Sequence, residues 1–177
     1  TKKMLRDLAG GVAAIGIMFL AAAPFGLGKV ISQYVDTLGS YEYCTVNAYN
    51  FWMILGKNWS SQSDPFLFLK CRTWGTIAIF VAIGLSAWIF FRCKEEKSKY
   101  FLSMAALVSV MFLFSVRMHE RYLFPVIALV LVGFLLKPTR ELFYTFIGFT
   151  VVQFLNVSHV YYYFVEFETT GPEGYIM

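Results

Sequence analysis

The chain has 177 residues, 58% of them hydrophobic and 19% aromatic, with a formal net charge of +4. Only 15% are charged, against roughly a quarter in soluble domains, so too little polar surface exists to coat a water-soluble fold of this size. A bilayer is the natural solvent for such a chain, and the positive charge, scattered over the polar breaks, forms no basic face for nucleic acid.

Five hydrophobic blocks are spaced as membrane spans, taking about 20 residues as the length of a crossing. The first covers 8–27, with Gly10, Gly11, Gly16 and several alanines suited to close helix packing, and Pro24 and Gly26 ending it. A mixed, aromatic-rich stretch from 28 to 72 follows, long for a simple connection. Within it, 45–55 reads as a helix lying at the membrane interface, where Tyr and Trp prefer to sit, and 57–65 reads as a loop. The remaining spans are expected at 73–91, 100–116, 122–136 and 141–165, before an acidic tail at 166–177. The fold class is therefore all-α integral membrane, with about five transmembrane helices and an interfacial helix in a long extracytoplasmic loop. Residues 1–177 read as a single transmembrane domain. The chain opens on Thr1 without an initiator or signal-peptide pattern, as expected for the C-terminal portion of a larger polytopic protein.

Charge sets the expected orientation. The start, the 92–99 break and the 137–140 turn together hold nine of the fifteen Lys and Arg in short segments, which makes them cytoplasmic by the positive-inside rule. The long 28–72 loop, the 117–121 turn and the C-terminus then share the extracytoplasmic face. Cys44, Cys71 and Cys93 have neither metal-ligand spacing nor an even count for a disulfide set, and read as three unrelated thiols. No metal and no cofactor is expected.

Two clusters could carry chemistry. Arg117, His119, Glu120 and Arg121 crowd a turn too short to leave the membrane surface, where charge is costly unless paired or functional. Arginines can snorkel to headgroups there, with Glu120 neutralising one of them. An imidazole beside a bidentate guanidinium can equally bind a phosphate; Arg117, lying before the motif, reads as the snorkelling anchor. Tyr41, Tyr43, Asn47, Asn50 and Trp52 offer aromatic faces and amides, which serve either a sugar ring or an interfacial belt. Asn156 and His159 fall within the last span, where packing or helix–helix hydrogen bonding is their expected role. Of the carboxylates Asp36, Glu42, Asp64 and Glu120 on the extracytoplasmic side, none is marked as a general base.

The run Arg117-Met118-His119-Glu120-Arg121-Tyr122-Leu123-Phe124-Pro125, opening a span, resembles the C-terminal half of GT-C membrane glycosyltransferases, in particular the bacterial protein-mannosyltransferase-like members. Tyr41 to Trp52, followed by Leu55-Gly56 and Asn58-Trp59, resembles the Asn-Ala-x-Asn-x-Trp loop that precedes that turn in the family. The resemblance implies inverting transfer of a mannose-like hexose from a polyprenyl-phosphate-linked sugar to a protein, lipid or glycan acceptor. It assigns the donor phosphate to His119, Glu120, Arg121 and Tyr122, and the sugar or acceptor to Tyr43, Asn47, Asn50 and Trp52. The general base would come from an upstream half that this sequence does not include. The implied location is a membrane, the bacterial plasma membrane or, in a eukaryote, that of the endoplasmic reticulum, among membrane lipids. A lipid or anion transporter segment and a non-catalytic membrane subunit are the competing functions.

Overall fold

The computed structural model describes the backbone of residues 2–94 and 97–170. Thr1, residues 95–96 of the charged break and residues 171–177 of the expected acidic tail lie outside the described residues. The chain divides into two compact units, 1–41 and 42–177.

The first unit is a pair of helices. Helix α1, Lys2–Ala22, runs into a short 3-10 turn, Ala23–Phe25, and helix α2, Leu27–Ser40, follows. Pro24 at the head of the 3-10 turn and Gly26 at φ 80° break the path between them, a left-handed backbone that glycine adopts without a Cβ clash. Helix α2 occupies a segment with no expected helix. Leu27, Val30, Ile31, Tyr34, Val35 and Leu38 recur at the helical i, i+3, i+4, i+7 spacing, while Ser32–Asp36 and Gln33–Thr37 bond along the polar side. Such a stripe suits a helix lying on a membrane surface.

The second unit is a helical bundle capped by a folded loop. The loop contains strand β1 (Thr45–Val46), the single-turn helix α3 (Phe51–Ile54) and a hairpin of β2 (Pro65–Phe66) with β3 (Leu69–Lys70). The interfacial helix expected at 45–55 is thus a strand followed by one helical turn. Asn47 at φ 53° and the capping side chain of Asn50 break any continuous helix there. Helix α4 (Cys71–Arg92) and helix α5 (Ser98–Phe114) come next, then strand β4 (Met118–His119), a 3-10 turn (Glu120–Leu123), helix α6 (Phe124–Leu136) and helix α7 (Arg140–Thr170).

Among the described residues, three helices are long and apolar enough to cross a membrane, over Leu8–Phe25, Cys71–Arg92 and Arg140–Tyr163. Helix α5, of 17 residues, and α6, of 13, are apolar but shorter. The 3-10 turn takes the opening of the span expected at 122–136, and Pro125 in the first helical turn sets where α6 begins.

Helix α4 packs on α5, α5 on α6 and α6 on α7. Ser86 Oγ donates to the Ser103 carbonyl at 2.8 Å, the kind of interhelical bond that ties helices together in an apolar solvent. One buried cluster joins Ala48 of the loop to Ala105, Phe112, Leu123, Val126 and Val130; a second joins Cys44, Trp52, Cys71 and Val116. Large apolar side chains on α4 and α7, among them Phe80, Phe91, Tyr144 and Phe154, face outward.

Candidate functional site

The loop and the turn between α5 and α6 are locked together at backbone level. Strand β1 pairs in parallel with β4, matching Thr45 to Met118 and Val46 to His119. Arg117, at φ 65°, points its N–H at both the Tyr43 and Cys44 carbonyls, at 3.2 and 3.0 Å, and the Thr45 hydroxyl donates to the Met118 carbonyl. A left-handed arginine is strained, and such strain persists only where the surroundings over-determine it. Here the supports are the strand pair and the Arg117 Nε donated to Gln62 Oε1 at 3.0 Å.

Asn47 is the knot of the loop. Its N–H donates to Asn58 Oδ1 at 2.8 Å, and its own Oδ1 accepts from Asn58 Nδ2 at 3.0 Å and from the Trp59 indole at 3.1 Å. Asn156, fully buried on α7, closes the loop from the other side. Its Oδ1 accepts the Tyr49 N–H at 2.9 Å and its Nδ2 donates to the Asn47 carbonyl at 2.6 Å, so one carboxamide pairs with the loop as a neighbouring strand would.

On this frame the turn presents its ionisable groups in a row. The His119 side chain is 12% exposed, with Nδ1 3.9 Å from Glu120 Oε2; Arg121 is 63% exposed and places Nη1 3.2 Å from Glu120 Oε1. Tyr122 lies edge-on to the imidazole at 5.3 Å and beneath the Arg121 guanidinium at 5.9 Å. Burial lowers the His119 pKa from its ordinary value, the Arg121 charge lowers it further, and Glu120 opposes both. The imidazole is therefore neutral at pH 7, able to donate one hydrogen bond, beside a guanidinium whose remaining N–H groups reach solvent. An arriving anion competes with Glu120 for that guanidinium.

No family model, curated protein or solved structure matches this chain.

The residues expected at a site therefore divide by what the fold does with them. His119, Glu120, Arg121 and Tyr122 form one contiguous group. Tyr43 is 39% exposed and meets Trp59 edge-to-face at 5.2 Å, so these two rings make the accessible aromatic surface beside the turn. Asn47, Asn50 and Trp52 do not offer themselves to a sugar. Asn47 is spent within the loop, and Asn50 is 1% exposed and accepts the Met53 N–H as the cap of α3. Trp52 is 1% exposed, with its indole donating to the Phe114 carbonyl at 3.0 Å. Arg117 is likewise no snorkelling anchor, because its side chain is half-buried against Gln62.

Cys44 and Cys71 are not unrelated: both are fully buried in one cluster. His159 on α7 lies between the Tyr49 ring at 5.4 Å, tilted to it, and the Tyr163 ring at 4.3 Å, edge-on to it. Gln62 lacked any signal beyond its residue type, and Trp59 stood out only through the Asn58-Trp59 pair of the resembling loop. Beside the loop, between α4 and α5, an open apolar cleft of about 620 Å³ is lined by Phe51, Trp52, Phe66, Trp74, Val81 and Phe114, among others.

Proposed function

We propose that this chain is the C-terminal part of a GT-C-type membrane glycosyltransferase, moving a mannose-like hexose from a polyprenyl-phosphate donor to an acceptor on the extracytoplasmic face. The observation that carries the reading is the parallel pairing of Thr45–Val46 with Met118–His119. It joins, residue against residue, the two segments on which the resemblance rests, although more than 70 positions of chain separate them. In this reading Arg121 binds the lipid phosphate through its exposed N–H groups, and His119 donates to an oxygen that gains charge as the phosphate leaves. Tyr43 and Trp59 give the hexose an aromatic face, replacing Trp52 in that role. The wholly apolar lining of the neighbouring cleft suits prenyl units. The general base belongs to a part of the protein outside this sequence.

The reading includes a five-span topology. Hydrogen bonding between the loop and the 117–119 turn requires an even number of crossings between them, so if α4 crosses, the shorter α5 must return. Asn156 meets the loop 16 residues after the start of α7, roughly 24 Å along the helix at 1.5 Å per residue. The 137–140 turn is then on the far side, and α6 crosses as well.

The test is transfer of radiolabelled mannose from polyprenyl-phosphate mannose by the full-length parent reconstituted in liposomes. His119→Ala and Arg121→Lys should each lose about a hundred- to a thousand-fold in rate, the cost of one donor to developing charge. Near-wild-type transfer by both variants sinks the assignment; binding of the donor without transfer by the wild-type parent favours a carrier instead.

A further inference from the structure

The Cys44–Cys71 contact is not used by the site, and it carries its own conclusion. Both thiols are 0% exposed and share one buried cluster with Trp52 and Val116. The backbone brings their segments together in successive steps. Cys44 N–H donates to the Ser60 carbonyl, Gln62 N–H to the Glu42 carbonyl, and Arg72 N–H to the Gln62 carbonyl; Cys71 N–H in turn reaches the Asp64 carbonyl. The Cys44 thiol also touches the Ser61 carbonyl at 3.2 Å. Two buried cysteines in one cluster, on segments tied by these hydrogen bonds and expected outside the cytoplasm, are placed where a cross-link can form.

We propose that Cys44 and Cys71 are joined by a disulfide, which forms while the chain folds and staples strand β1 to the start of α4. The oxidant is a dithiol–disulfide oxidoreductase. One cysteine thiolate attacks its disulfide, giving a mixed disulfide and releasing the oxidoreductase's other sulfur as a thiolate. The second cysteine then attacks the mixed disulfide at the chain's own sulfur, so that the Cys44–Cys71 bond forms and the oxidoreductase leaves with both its sulfurs reduced. Two electrons pass to the oxidoreductase, and the two protons lost by the chain are balanced by the two its dithiol takes up. Exchange must precede burial. In the folded loop, burial and the neighbouring Cys71 push the Cys44 thiol up to about 12, so it carries almost no thiolate to react. The proposal does not depend on the sugar-transfer reading, since a stapled loop serves any activity built on it.

The experiment is thiol mapping of the full chain in its own membrane. Cells are quenched in acid, and the protein is denatured and alkylated with N-ethylmaleimide without reductant. It is then reduced, alkylated with iodoacetamide and digested for mass spectrometry. The expected result is maleimide on Cys93 alone, iodoacetamide on Cys44 and Cys71, and a linked 44–71 peptide in the sample left unreduced. In Cys44→Ser, Cys71 should move to the maleimide fraction. Maleimide on all three wild-type cysteines, or a linked peptide that includes Cys93, overturns the proposal.

Discussion

Burial holds the His119 imidazole neutral against the pull of Glu120, and this makes the residue an acid-sensitive point in the fold. Its pKa in the folded chain lies below the 6.5 of a free histidine, so between those values the unfolded chain binds more protons. Stability contributed by the neutral ring is complete above about pH 6.5 and is lost as pH falls through the folded pKa. The unfolding temperature in detergent should therefore drop between about pH 7.5 and pH 5, and His119→Gln should flatten that part of the curve; an unchanged slope would remove His119 as the cause. Asn156 gives a second prediction at this scale. Asn156→Leu leaves the Tyr49 N–H and the Asn47 carbonyl buried without their partner, and each unmet group costs about 1–3 kcal/mol. Thermal unfolding should show a loss of that order, and the fluorescence of Trp59, which is tied to Asn47, should change with it. A variant as stable as wild type would mean that the loop does not depend on α7.

Close approach at the level of elements depends on two glycines whose surroundings differ. A Cβ on Gly75 would stand 2.8 Å from the Val116 backbone nitrogen, whereas one on Gly133 would stand 2.7 Å from the Leu102 Cδ2. A leucine tip can rotate away, but the backbone beside Arg117 is fixed by the β1–β4 pair. Gly75→Ala should therefore cost about 1–3 kcal/mol as overpacking that must move the turn, and Gly133→Ala distinctly less. Equal losses in thermal unfolding would contradict a rigid turn. The elements also show what the sequence made legible. The helices at 71–92 and 140–163 are long and apolar enough to cross a membrane, so composition alone reveals them. Helix α2 is legible in its 27/30/31/34/35/38 stripe, whereas the aromatic residues at 45–55 mimic an interfacial helix without forming one. The two-residue strands leave no periodicity to find. Charge exposed the His119–Arg121 turn, since charged groups at a membrane surface need a reason. Nothing in the sequence shows that an asparagine or tryptophan is already committed to a backbone group, and Trp52 meets Phe114 from 62 positions away. The Cys44–Cys71 contact was hidden in the same way, by a count of three cysteines.

At the scale of the whole molecule, the proposed topology makes the loop's hydrogen bonds and the charge pattern answer to one another. In that proposed topology the positive-inside rule puts the 92–99 break and the 137–140 turn on the cytoplasmic side. The β1–β4 pair and the Asn156 clamp independently require the loop and the 117–119 turn to share a side, with the start of α7 away from them. Helices α5 and α6, at 17 and 13 residues, are short for this task, since roughly 26 and 20 Å of helix face a hydrocarbon core of about 30 Å. The proposed topology therefore requires the 3-10 segment and β4 to make up the difference at the turn. This arrangement needs the ionisable turn to sit within the membrane's outer boundary. Single cysteines at Ser63, Lys97 and Arg140, all at exposed positions, test it in a Cys93→Ser background that leaves buried Cys44 and Cys71 in place. A membrane-impermeant maleimide should label Ser63→Cys in intact cells, and Lys97→Cys and Arg140→Cys only after permeabilisation. If Lys97→Cys labels with Ser63→Cys, α4 does not cross. If Arg140→Cys alone joins Ser63→Cys, α6 is a surface helix and the five-span arrangement fails there, leaving the loop–turn site without the bundle that is proposed to hold it at the membrane.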